Sequence, residues 1–338
     1  MTEAHEPELR PAPPWVMEEM IATEARLPRE IAAEPGTSAL RELLGEALRS
    51  DQPILFTGCG TSEHAARAAA AILRAAAPAA DVAARDAFEA QLEPPERGLV
   101  VAISHEGGTR STRGAAAGAA RAALITARPE QAPDGVRPIA TPRHDRSWCH
   151  TVAYVSPFLA VALALGAISA DDCERVIAAE LDARPRRREQ AEELAGAARL
   201  LAIGSGVDEI TAAELALKIE EAAHVPTTPL GAEKVLHGHL PAADSATGAV
   251  LLRFDPSHAA QRDARAAGVS RATAALGIPL VVLAPQRPLT TPAEALLTGA
   301  LALQLLTLEL SHVHGTNPDR IRREQEPYRL AAEVAGVG

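Results

Sequence analysis

The sequence predicts an α/β protein made of two duplicated flavodoxin-like halves, each a mainly parallel sheet flanked by helices. Three observations carry this. Short apolar runs alternate with Ala-rich helical stretches, the grammar of βαβ units. Gly58-Cys59-Gly60 and Gly204-Ser205-Gly206 each follow an apolar run and open a helical one. The next strand begins at Gly98 in one half and at Gly248 in the other, so one unit repeats at similar spacing.

Taken in order, residues 1–50 read as a polar helical lead-in, with helices expected over about 15–31 and 38–49. The first half is expected over 51–155, with strands at 53–57, 98–103 and 122–126 and an Ala-rich helix over about 63–76. A helical connector covers 156–197. The second half, 198–315, repeats the pattern with strands at 199–203, 248–254 and 279–284 and a helix containing 211–223. A C-terminal segment, 316–338, follows.

Composition narrows the function. A net charge of −11 disfavours nucleic acid and anionic membranes as partners. Aromatics at 2% argue against stacking platforms for bases. The longest apolar run, 158–168, is too short to span a bilayer and reads as a buried helix. Cys59, Cys149 and Cys173 suit a reducing cytoplasm and offer neither a disulfide framework nor zinc-ligand spacing. Glu63 stands where a dinucleotide fingerprint needs its third glycine, so no nicotinamide cofactor is expected. Of 33 basic residues only Lys218 and Lys234 are lysines. A lysine kept in so arginine-rich a chain points to a task that a compact, titratable amine performs and a guanidinium does not.

In a doubly wound sheet, ligands sit beyond the carboxyl ends of the strands, at helix N-termini. There the first half places Thr61, Ser62, Ser104 and Thr109, with glycines that let backbone N–H groups approach, a neutral cup for an oxyanion. The second half has Asp208 and Asp255 at the matching turns, which would repel an anion. On the helix containing 211–223, Glu214, Lys218 and Glu221 fall at i, i+4 and i+7 and share one face. A carboxylate beside a cation, with His237 nearby in sequence, suits proton transfer between adjacent sugar carbons.

These motifs, with Asn317-Pro318-Asp319-Arg320, resemble the sugar isomerase (SIS) family from about residue 15 to 325. The resemblance is in particular to the isomerase domain of glucosamine-6-phosphate synthase and to free-standing phosphosugar isomerases and deaminases. It implies that Thr61, Ser62, Ser104 and Thr109 bind phosphate and that Glu221 moves the proton between C1 and C2. It also implies that Lys218 is the cationic neighbour of Glu221, and that His237 opens the sugar ring across the interface of a homodimer. No cofactor or resident metal is implied. Three segments depart from the pattern. The phosphate loop, typically Ser-x-Ser-Gly, reads Ser104-His105-Glu106-Gly107; Cys149-His150 replaces Ala-Ser near the sugar; and Glu326 stands where the synthase has its Schiff-base lysine. With no glutaminase domain and no nucleophile at Met1-Thr2, the chain is not expected to use glutamine.

The expected function is therefore a cytoplasmic isomerase or amino-sugar deaminase for a phosphorylated or otherwise acidic sugar. Two other readings stay open. One is a sugar sensor without catalysis. The other treats His105, Glu106 and His150 as a new polar set for a non-phosphorylated sugar or a metal.

Overall fold

Among residues 6–336, which the computed structural model describes, nine strands form two wholly parallel sheets. The first contains β1 (Ile54–Gly58), β2 (Val82–Asp86), β3 (Leu99–Ile103), β4 (Ala122–Thr126) and β5 (Arg137–Ala140) in the order β2-β1-β3-β4-β5. The second contains β6 (Arg199–Gly204), β7 (Thr227–Gly231), β8 (Thr247–Leu252) and β9 (Leu280–Leu283) in the order β7-β6-β8-β9. Both are flavodoxin-type orders, with the strand order reversing beside the first strand of each half.

The apolar strands are the central ones. β1, β3, β4 and β8 are buried at every residue, as expected where helices cover both faces of a parallel sheet. Three strands escaped the sequence reading, and all are edges. β2 carries Arg85 and Asp86, β5 contains Pro138 and β7 contains Pro229. An edge strand tolerates proline and charge because one side of its ladder is unpaired.

The expected N-terminal helix is broken. It runs as Val16–Thr23, a 3₁₀ turn at Glu24–Arg26, and a new helix Leu27–Ala33 that opens on Pro28. Proline lacks the N–H that would have continued the first helix, and its fixed φ suits a helix start.

Two helices fill the seam between the sheets. Val152–Leu165 is buried through its first thirteen residues and packs on the helix Thr61–Ala76. It begins at Val152, ahead of the expected connector boundary at 156. Its N-terminus is held by buried Asp145, which accepts N–H bonds from Thr151 (2.7 Å) and Ala153 (3.2 Å). The 23-residue helix Pro292–His314 is long and apolar enough to cross a membrane by length and composition, but 89% of its apolar window is buried within the protein. It packs on Asp208–Ala222, Arg184–Leu194, Ala170–Asp182 and Val152–Leu165, so it is a core helix. One hydrophobic cluster runs through this seam from Trp15 to Leu310, and the two halves share it.

Asn317-Pro318-Asp319-Arg320 ties the ends of the chain together. Asp319 accepts the backbone N–H groups of Val16 (2.8 Å) and Met17 (2.7 Å), capping the first helix from 302 residues away in sequence. Asn317 Nδ2 donates to the Arg10 carbonyl at 3.0 Å and Arg320 Nε to the Pro7 carbonyl at 3.0 Å. Two buried N–H groups would lose their acceptor in Asp319→Ala. The expected cost is about 1–3 kcal/mol of stability, read as a lowered denaturant midpoint in chemical unfolding, and an unchanged midpoint would contradict the assignment.

Candidate active site

Each half opens its ligand-binding edge with the same tight turn. A Cβ on Gly58 would lie 2.5 Å from the Ser62 carbonyl, and one on Gly204 would lie 2.2 Å from the Asp208 carbonyl. Only glycine lets the helix start this close to the strand it follows. The GxG motifs are thus devices for packing and backbone approach, and the two halves then diverge.

In the second half the cup is filled by the chain itself. Asp255 accepts the Val207 N–H at 2.9 Å and faces Arg262 at 3.3 Å, while Arg262 also donates to Ser205 Oγ at 2.6 Å. Asp208 accepts from the N–H groups of Phe254 (2.9 Å) and Asp255 (3.1 Å). Burial, with the charge of Asp255 adding to it, pushes the Asp208 carboxyl up to about 7. The remaining space, about 30 Å³, is on the scale of one water. The aspartates do more than repel an anion, because one of them occupies its place.

In the first half, Ser104 Oγ donates to Thr109 Oγ1 at 3.2 Å, which brings these two hydroxyls together at the start of the helix Arg110–Ala117. Ser62 lies half-buried at the start of Thr61–Ala76. Thr61 has another partner. Its hydroxyl donates to Glu214 Oε1 at 3.2 Å, and His64, one turn on, meets Glu214 Oε2 at 2.6 Å. Two residues of the first half thereby grip a carboxylate of the second.

Glu214 is the first link of a buried ion chain. Lys218, with no exposed side-chain surface, places Nζ 3.7 Å from Glu214 and 2.5 Å from Glu221 Oε2. The expected i, i+4, i+7 face is formed, on the helix Asp208–Ala222. Burial opposes the charge of Lys218, but Glu221 and Glu214 more than offset it and its ammonium is held well above the usual lysine range. Burial likewise opposes ionisation of Glu214, and Lys218 and His64 hold its carboxyl below the ordinary value. For Glu221, burial and the like charge of Glu214 prevail over Lys218, and its pKa is raised. Glu221 keeps 20% of its side chain exposed and borders a cleft. A carboxyl with a raised pKa, beside a fixed cation and open to a cleft, is suited to accept and return a proton. Lys234, the other lysine, lies exposed.

A histidine group joins this chain to the 104–109 loop. Cys149 Sγ lies 3.9 Å from the Lys218 carbonyl oxygen. The next residue, His150, has its ring 5.5 Å from that of His105, and His144 lies 5.2 Å from His105 on another side. Burial, with the charges of Lys218 and His144, lowers His150 to about 3. Burial and the neighbouring imidazoles also take His105 well below its usual value, so both rings are neutral. Glu106 does not stand alone in the loop. Arg128 Nε is 2.8 Å from its Oε2, and His144 Nε2 contacts Oε1. Burial would raise Glu106, but His144 and Arg128 hold its carboxyl low and its charge is compensated.

Ligand atoms of His105, Glu106 and His144 lie within 4.8 Å of one another. The set does not suit a metal. The Asp145 N–H donates to His105 Nε2 at 2.7 Å, which puts the ring proton on Nδ1 and leaves no free lone pair, and the Arg128 guanidinium already holds Glu106.

His237 is elsewhere. It lies at a kink in the segment Val235–His239, where its own backbone and that of Gly238 leave the helical region; its side chain is 70% exposed and meets Glu233 at 2.9 Å. Among the described residues no hydrogen bond links it to Glu221. Sequence reasoning missed His64, Arg128 and His144, each of which acquires its partner only through tertiary packing.

Family models and curated proteins give no match to the sequence. Solved structures do. The C-terminal domain of glucosamine-fructose-6-phosphate aminotransferase from Francisella tularensis superposes with a TM-score of 0.77 at 16% identity, covering 93% of this chain and 99% of that one. Tagatose-6-phosphate ketose/aldose isomerase from Escherichia coli gives 0.74 at 18%, covering 94% and 98%. Glucosamine-6-phosphate deaminase from Thermotoga maritima gives 0.66 at 16%, covering 84% and 95%. The chain shares the fold of these proteins, two parallel sheets flanked by helices, as the sequence led one to expect.

Proposed function

We propose that this protein binds an acidic sugar at the seam between its halves and moves a proton between C1 and C2, as an aldose–ketose isomerase or an amino-sugar deaminase. The observation that carries the reading is Glu221: a carboxyl of raised pKa, 2.5 Å from a buried lysine and open to a cleft. The names of the structural neighbours agree, since they include a ketose/aldose isomerase and a deaminase of phosphorylated sugars.

In the proposed reaction Glu221 removes the proton from C2 of the open-chain aldose and returns it to C1. The electron pair of the broken C–H bond forms the C1–C2 double bond of an enediol as O1 takes up a proton; when C1 is reprotonated, O2 gives up its proton and the carbonyl has moved from C1 to C2. Lys218 supplies fixed positive charge beside the carboxylate as protons shift. With an amine on C2, the same proton shift gives a ketimine, which water hydrolyses to ketose and ammonia. Neither route changes the oxidation state of the pair of carbons overall, so no redox cofactor is required. His237, exposed in its own chain, is proposed to serve the ring-opening step at the site of a partner copy in a homodimer, in the cytoplasm.

The reading is tested by comparing Glu221→Gln with the wild type on hexose and hexosamine 6-phosphates. Turnover is expected to fall at least about 10²-fold while binding persists. In the wild type, kcat/KM is expected to rise with pH along a limb whose midpoint lies above the ordinary carboxylate value of about 4.3, because Glu221 must be ionised to accept the proton. Undiminished turnover in Glu221→Gln would remove this residue from the chemistry, and ligand binding without any turnover in the wild type would favour a sugar sensor.

A further inference from the structure

The proposed reaction moves a proton on oxygen as well as one on carbon. Glu221 carries the carbon-bound proton, but O1 must gain a proton and O2 must lose one as the carbonyl moves. Most groups that could do this are already engaged. Lys218 Nζ has no exposed surface and is held by Glu214 and Glu221. His64 is committed to Glu214 and His144 to Glu106. His105 Nε2 accepts the Asp145 N–H, and His224 Nε2 is sealed from solvent. His237 stands exposed beside Glu233.

His150 differs from all of these. Its ring is half-buried, no group hydrogen-bonds to either ring nitrogen among the described residues, and neither nitrogen is closed off from solvent. It also joins the two parts of the site. On one side its ring lies 5.5 Å from that of His105, in the loop where Ser104 and Thr109 bring their hydroxyls together. On the other, Cys149, the residue before it, places Sγ 3.9 Å from the Lys218 carbonyl oxygen, beside the ion chain that includes Glu221. Asp145 fixes this arrangement. Its N–H holds His105, and its carboxylate accepts the Thr151 N–H at 2.7 Å, one residue beyond His150. His150 is also one of the residues at which the chain departs from the family pattern, so a role for its imidazole belongs to this chain.

Electrostatics decide the form in which the ring acts. Burial, with the charges of Lys218 and His144, keeps it neutral. The positive charge that disfavours an imidazolium favours an imidazolate. A neutral imidazole has one N–H to give and one lone pair, and a carboxylate base paired with a neutral imidazole is an effective division of labour beside a carbonyl. We infer that His150 is a second catalytic residue, which passes the hydroxyl proton between O1 and O2 while Glu221 passes the carbon-bound one. This inference rests on the proposed role of Glu221.

The step balances. Glu221 takes the C2 proton, the C–H pair becomes the C1–C2 double bond, and the carbonyl π pair goes to O1. O1 takes the N–H proton of His150, leaving an imidazolate in the field of Lys218. The imidazolate then takes the O2 proton, and the O2 pair forms the new carbonyl. The C1–C2 double-bond pair takes the proton held by Glu221, at C1. Both residues end as they began, and no co-reactant is consumed.

The test uses the full chain in D₂O with the hexose or hexosamine 6-phosphate that the wild type converts fastest. NMR follows two rates, deuterium entering C2 of the unconverted aldose and conversion to the ketose. His150→Gln keeps a donor and an acceptor but cannot hand a proton on as an imidazole does. It is expected to lose at least about 10²-fold in kcat with little change in KM. Exchange at C2 is expected to fall less, so the ratio of exchange to conversion rises at least about 10-fold. His150→Ala is expected to behave in the same way and carries the comparison if His150→Gln does not fold. Unchanged kcat in a folded variant overturns the inference. So does a parallel fall of both rates at constant ratio, which would mark His150 as a structural support. Wild-type protein that exchanges and converts none of these sugars would remove the Glu221 reading and this inference with it, a failure distinct from the other two.

Discussion

A single buried ammonium, that of Lys218, sets the terms for the rest of the molecule. It lies in the seam between the halves with no exposed side-chain surface, and its charge is tolerable only because two carboxylates of its own helix approach it. One of them, Glu214, is held from across the seam by Thr61 and His64. The ion chain therefore needs both halves in place, and removing one partner of such a buried pair typically costs about 3–5 kcal/mol. Glu214 is held by the first half. Glu221, the second carboxylate on the same lysine, keeps a raised pKa and access to solvent, which are the properties that a proton carrier needs.

Duplication supplied two similar turns, and divergence gave them different tasks. The second copy is occupied by Asp208, Asp255 and Arg262: Asp255 takes the Val207 N–H at the helix start and faces Arg262, and Asp208 takes the N–H groups after β8. The first copy keeps Ser62, Ser104 and Thr109 near two helix starts, but its loop carries Glu106 in a compensated cluster with Arg128 and His144. That pairing neutralises the carboxylate beside the hydroxyls of the cup.

The central strands and the duplication were legible in the sequence because a strand buried on both faces must be apolar throughout, as at Ile54–Gly58 and Leu99–Ile103. Val82–Asp86, Arg137–Ala140 and Thr227–Gly231 were not, since an edge strand may carry Arg85, Pro138 or Pro229 without losing its ladder. The Glu214, Lys218, Glu221 face was legible because helical periodicity alone aligns it. Its partners Thr61 and His64 come from a helix some 150 residues away and share no local pattern with it. Glu106 shows the same limit. The sequence reads it as a carboxylate in an anion cup, and only packing reveals the Arg128 and His144 that neutralise it. Asp319 carries a further lesson, for its motif first signalled a resemblance and its side chain caps the first helix.

The claim that most needs testing is that Glu221 carries a proton between adjacent sugar carbons and exchanges it with water while doing so. Incubating the protein in D₂O with hexose and hexosamine 6-phosphates and following the C1 and C2 proton signals by NMR tests it directly. The account predicts deuterium at C1 or C2 with the wild type, at a rate proportional to protein concentration, and none above the protein-free control with Glu221→Gln. A bound sugar that stays unlabelled with the wild type while its carbonyl still moves would mean that the hydrogen never leaves the substrate pair of carbons for an exchangeable carboxyl, and would contradict it.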